Sequence, residues 1–192
     1  MLILPAIILG SKSPRRKELL QLMGLNFEVE FKEIDESYPT GLAPEEIVIY
    51  IAEAKAAVFE AGKDKLIITA DTLVVLGNEV LGKPKDVLQA AEMLGKLSGN
   101  EHQVFTGVTI LHNGEKKSFY DSTKVFCREL TKQEIDFYVE NYQPFDKAGS
   151  YGIQDWFGLN AVTRVEGSYA NVMGLPTEKL YAALKAIYKS HS

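Results

Sequence analysis

Residues Met1 to Leu9 are almost all apolar and stop at Gly10, a run that predicts a buried first strand. Ser13 and Pro14 suit the N-cap and first position of a helix with apolar residues at Leu19, Leu20, Leu22 and Met23. Asn26 to Phe31 alternates polar with apolar and predicts a strand, whereas Lys32 to Leu42 is acidic and turn-rich. Pro44 to about Ala61, strong in Ala and Glu, predicts a long helix. Leu66 to Ala70 is a short apolar run that ends in Asp71 and Thr72. Gly77-Asn78, between Leu73–Leu76 and Glu79–Leu81, is a hairpin signal. Asn113-Gly114, between Val104–His112 and Lys117–Cys127, is another. Asp86 with Gln89, and Thr131 with Glu134, have capping-box spacing and open helices that end at Gly99 and after Tyr142. Asp146 to Gly158 reads as glycine-rich and irregular, Leu159 to Val165 as a strand, and Thr177 to Lys189 as a closing helix.

Early alternation of strands and helices, followed by hairpins, predicts an α/β fold: a mixed twisted sheet with helices on both faces. A length of 192 residues, with no repeat or linker long enough to divide it, predicts one domain, with room for two lobes. With 46% hydrophobic and 24% charged residues the chain is of ordinary globular composition. A net charge of −5 argues against a nucleic-acid coat or a membrane-surface role. The apolar start lacks a positive n-region and a cleavage site, so it does not read as a signal peptide. The single cysteine, Cys127, cannot form an internal disulfide, which suits a reducing, cytoplasmic compartment.

Four segments could carry chemistry. Gly10 to Arg16 places Ser11, Ser13, Lys12, Arg15 and Arg16 at a strand-to-helix turn, where free N–H groups and the helix dipole attract anions. It lacks the Walker A pattern, and a well-capped helix with solvated basic residues is the competing reading. Asp71 follows an apolar strand, a common place for a catalytic carboxylate, and the earlier acidic segment Glu33 to Glu36 could join it around Mg²⁺. An ordinary turn aspartate fits as well. Lys83, fixed in extended geometry by Pro84, and Lys55, flanked by alanines on a helix, are candidate cations. Either could equally be a solvated lysine. Asp146 to Gln154 offers Lys147, a stacking ring in Tyr151, and Gln154, whose amide can both donate and accept. No His or Cys spacing suggests zinc.

Together these segments resemble the Maf family of nucleotide pyrophosphatases. The matching stretches are Ser11–Arg16, Glu53–Lys55, Ala70–Thr72, Gly82–Asp86, Phe105–Gly107, Asp146–Gln154 and Val172–Pro176, so the resemblance covers nearly the whole chain. It implies an inosine triphosphate pyrophosphatase-like fold with a central cleft, often as a homodimer. It also implies hydrolysis of a nucleoside triphosphate to monophosphate and pyrophosphate, with a divalent cation, Mg²⁺ or Mn²⁺, as cofactor. The Arg15-Arg16, Asp71-Thr72 and Tyr151–Gln154 forms look like the dTTP/UTP branch rather than the 7-methyl-GTP branch. By resemblance Asp71 is the proton acceptor, with Glu36, Lys55 and Lys83 as functional partners and Asp71 and Glu36 as metal ligands. Ser11, Ser13 and Arg15 would bind the phosphates, while Arg16, Thr72 and Gln154 look base-selective. This chain departs from the pattern at Gly10, Lys12 and Asp155, where small residues are expected. The family's association with septum formation offers a second reading, a nucleotide-binding regulator of division, but the full set of Asp71, Glu36, Lys55 and Lys83 favours an enzyme.

Overall fold

Three consecutive buried residues, Ile7, Ile8 and Leu9, make up most of β1 (Ala6–Leu9). A strand apolar on both sides belongs inside a sheet. In the computed structural model, which describes residues 4–59 and 65–189, β1 lies between two parallel neighbours. They are β2 (Phe27–Val29) and β3 (Lys65–Leu76), with Ile7 opposite Phe27 on one side and Leu66 on the other. Met1 to Ile3, part of the expected first strand, lie outside the described residues.

The sheet has seven strands in the order β2-β1-β3-β5-β6-β7, with β4 (Glu79–Leu81) paired antiparallel to β3. β5 (Glu101–His112) and β6 (Glu115–Cys127) follow each other through Asn113 and Gly114, both at positive φ as a tight hairpin turn requires. β7 (Val162–Glu166) runs antiparallel to β6, with a register shift at Phe126/Cys127. The mixed sheet and its helices are the α/β class expected from sequence.

The chain forms two compact units. The first comprises residues up to Asp71, Thr106–Asp121 and Gly174 onward; the second comprises Thr72–Phe105 and Ser122–Met173. In the first, α1 (Pro14–Leu22) begins at Ser13, whose hydroxyl accepts from the Arg16 N–H. α2 (Pro44–Ala57) turns Ile47, Val48, Ile51, Ala52 and Ala56 inward and ends at the Val58 cap, short of the end near Ala61 expected from sequence. Gly107 of β5 explains how closely α2 can approach, because a Cβ there would collide with the Val48 carbonyl. α7 (Thr177–Lys189) has the expected bounds.

In the second unit, α3 (Val87–Leu97) is capped by Asp86, but the Gln89 amide reaches back to the N–H of Lys85 rather than to that of the cap residue. α4 (Lys132–Tyr142) has the full Thr131/Glu134 capping box. Other expectations are corrected as well. β3 does not stop before Asp71 but runs on through it to Leu76, as hydrophobic residues resume on the far side. Leu22 of α1 is largely exposed, since it lies nearly opposite Leu20 around the helix. The segment from Asp146 is not wholly irregular: it holds a 3₁₀ turn at Ala148–Ser150 and α5 (Trp156–Asn160), so Leu159 is helical rather than in a strand. A further short helix, α6 (Tyr169–Met173), follows β7.

Candidate active site

At the start of α1 the side chains mostly serve the turn itself. The Ser11 hydroxyl, buried, accepts from the Ser13 N–H at 3.2 Å and from Nη1 of Arg16 at 3.3 Å. Arg16 also donates from Nη1 to the Ala70 carbonyl and from Nε to the Gly174 carbonyl, each at 2.8 Å. One guanidinium thus ties α1 to the residue before Asp71 and to the approach to α7. Burial lowers the Arg16 pKa, and the nearby Asp71 charge opposes that shift. Arg15, on the same first turn, is half-buried. Lys12 turns outward, 3.7 Å from Glu33 and over the Phe31 ring.

Asp71 is a charged residue in the middle of a buried strand, which is costly unless a partner of opposite sign is at hand. That partner is Lys55, from α2. Its ammonium lies 2.7 Å from Oδ1 of Asp71 and 2.9 Å from Oε1 of Glu36. Glu36 comes from the irregular segment before α2 and is half-exposed, whereas Lys55 and Asp71 expose little of their side chains. The first unit therefore gathers Ser11, Ser13, Arg16, Glu36, Lys55 and Asp71 from four separate stretches of sequence.

Thr72, Lys83 and Gln154 belong to the second unit. Lys83 is exposed on the loop after β4, and the Gly82 carbonyl before it accepts from the Gly149 N–H at 3.1 Å. That bond ties the lysine's loop to the 3₁₀ turn. Gly149 itself has φ +67, and a Cβ there would press on Val74. The Gln154 side-chain oxygen is buried without a hydrogen-bond partner. A buried acceptor left unmet is costly, so this one favours a ligand that brings an N–H. Tyr151 is not the stacking ring expected from sequence. It is buried, its hydroxyl is 2.7 Å from Nε2 of His102, and its ring packs 4.7 Å from that of Phe157. Asp155 caps α5 through the Phe157 N–H and accepts from the Tyr138 hydroxyl.

Sequence reasoning missed His102 and Tyr138, the buried residues that hold this loop. A lone histidine in an apolar strand gives no local signal. Tyr138 had one, an aromatic residue one helical turn before Tyr142, against which it stacks at 5.1 Å.

The family model described as Maf-like protein matches residues 6–187. The chain belongs to the Maf family. Relatives of similar length bear one functional name. A dTTP/UTP pyrophosphatase of Phocaeicola vulgatus is 51% identical over 94% of this chain and 95% of its own. One of Porphyromonas gingivalis is 49% identical over 96% of each. One of Bacteroides fragilis is 48% identical over 94% and 95%. Among solved structures, a HAM1 protein from Coxiella burnetii aligns over 95% of this chain and all of its own, at 15% identity and a TM-score of 0.50. That likeness is one of fold. No helix of the described residues is long and apolar enough to cross a membrane.

Proposed function

We propose that this Maf-family chain hydrolyses dTTP and UTP to the monophosphate and pyrophosphate. The observation that carries the chemistry is the Lys55 ammonium seated between the carboxylates of Asp71 and Glu36. The names of the close relatives support the substrate class. Water attacks the α-phosphorus and forms the new P–O bond. Asp71 accepts the proton that water loses, and the bond to the bridging oxygen breaks with its electron pair leaving on pyrophosphate. Lys55 holds the Asp71 carboxylate in position as base through its 2.7 Å contact with Oδ1. The α1 N-terminus and Arg15 receive phosphate oxygens, with Ser11 and Ser13 holding that turn in shape. Lys83 neutralises phosphate charge. Gln154 meets the base, its unpaired oxygen accepting the ring N–H of uracil or thymine and its amide donating to a neighbouring carbonyl. Thr72 and Arg16 complete the selection, Arg16 chiefly by fixing the turn.

The donor set fits a divalent cation such as Mg²⁺ or Mn²⁺. Asp71 and Glu36 offer hard carboxylate oxygens on either side of the Lys55 ammonium, and Mg²⁺ takes one or two carboxylates together with substrate phosphates. Among the described residues there is no group of three or more His, Cys, Asp or Glu that could hold a metal. Bound to Asp71 and Glu36, the cation would supply charge neutralisation and a more acidic water. The proposed reaction takes place in the cytoplasm, where the single, buried Cys127 stays reduced.

The test is pyrophosphate release from a panel of nucleoside triphosphates, with Mg²⁺, with Mn²⁺ and with chelator. dTTP and UTP should lead, chelation should abolish turnover, and either metal should restore it. Preference for GTP or 7-methyl-GTP overturns the base assignment. Undiminished turnover under chelation overturns the metal.

A further inference from the structure

Gln154 reads a base only if its backbone is held still, and the second unit holds that backbone from both sides with one phenol. The Tyr138 hydroxyl accepts from the Gly152 N–H at 3.1 Å, two residues before Gln154. The same hydroxyl lies 2.9 and 3.0 Å from the two carboxylate oxygens of Asp155, one residue after it, and donates to that carboxylate. Asp155 in turn caps the Phe157 N–H at 3.3 Å and so fixes the entry to α5. The phenol has nowhere else to go. Its ring is buried, stacked on Tyr142 and packed on Trp156 at 6.1 Å and Phe157 at 5.6 Å. Burial, with Asp155 beside it, raises the Tyr138 pKa well above its usual value, so the hydroxyl remains a donor at working pH.

Space around the loop is closed as well. A Cβ on Gly152 would collide with the Asp155 carboxylate and would come within 3.2 Å of the Gln154 side-chain oxygen. The carboxylate and the unpaired amide oxygen therefore crowd the same spot from one loop. A shift of Asp155 would open room for Gln154 to rotate.

We propose that Tyr138 and Asp155 are specificity-positioning residues. They touch no substrate, and they set the orientation of the Gln154 amide and hence the choice of base. This rests on the reading of Gln154 as the residue that meets the base. A donor and acceptor held in register reject a mismatched base strongly, and the same pair free to turn does not. The latch therefore acts on relative affinity for different bases.

Tyr138→Phe keeps the ring and removes the hydroxyl, while Asp155→Asn keeps the cap acceptor and removes the charge. Folding of each is checked by thermal unfolding. Tyr138→Phe should lower the preference for dTTP and UTP over dCTP and GTP by roughly ten-fold, through KM rather than kcat. Asp155→Asn, which can still accept from the phenol, should retain more of the preference than Asp155→Ala. In a Gln154→Ala background, Tyr138→Phe should change selectivity no further, because both act on one element. Equal loss for every nucleotide, or additive losses in the double variant, overturns the proposal while leaving Gln154 in its role. If Gln154→Ala alone leaves selectivity intact, the assignment of Gln154 fails, and the proposal with it.

Discussion

Asp71 and Lys55 answer different needs, and substitution should separate them. Asp71→Asn keeps the shape and a hydrogen-bond acceptor for Lys55 but cannot take a proton from water. Turnover should fall by roughly 10² or more, with nucleotide affinity largely kept. Lys55→Ala leaves Asp71 buried with its nearest cation gone, so it should cost about 3 kcal/mol of stability as well as activity. Steady-state kinetics, calorimetric binding and urea unfolding of the two variants distinguish these patterns. A folded Asp71→Asn enzyme with near-normal turnover sinks the assignment. The sequence named both residues but gave Asp71 the wrong setting. An acidic side chain after a mostly apolar run reads as a strand end, because nothing nearby in sequence compensates its burial. The compensation is Lys55, 16 residues earlier on a helix. Arg16 shows a similar gap: its charge was legible, but its hold on the carbonyls of Ala70 and Gly174 depends on contacts up to 158 residues away.

Among the elements, those with strong end signals and a clear period were legible. α7 matches its expected bounds, and Thr131 with Glu134 makes the capping box that their spacing announced. α6 and α5 were not, since five residues are too few to show a period, and Asp155 caps α5 without a companion three residues on. The meeting of α2 with β5 adds a constraint that no local pattern reveals. Gly107 has space only for hydrogen, with the Val48 carbonyl and the Ile49 N–H facing it. Backbone cannot step aside as a flexible side chain can. Gly107→Ala should therefore destabilise the protein by about 1–3 kcal/mol, seen as a lower urea midpoint. Gly95, inside α3 with nothing near its missing Cβ, provides the contrast. Gly95→Ala should raise stability by about 0.5–1 kcal/mol. Equal midpoints for the two variants would refute the close-approach argument.

At the scale of the whole molecule, stability against acid should bear the mark of one buried ring. Burial lowers the His102 pKa from 6.5 to about 4. Between those values the unfolded chain binds a proton that the native state refuses, so stability falls as pH drops through this window and the effect levels off below it. The loss should reach about 3 kcal/mol, and His102→Gln should flatten that limb of the curve. Urea midpoints measured from pH 7 to pH 4 supply the check; a native protein as acid-sensitive without the imidazole as with it contradicts the assignment. The division into two units has a consequence of another kind. The chain passes from one to the other after Asp71, Phe105, Asp121 and Met173, three of these points lying inside strands β3, β5 and β6. No single cut releases either unit whole. A gene for such a protein cannot lend one half to a relative by a single recombination, because any crossover joins unmatched portions of at least one unit.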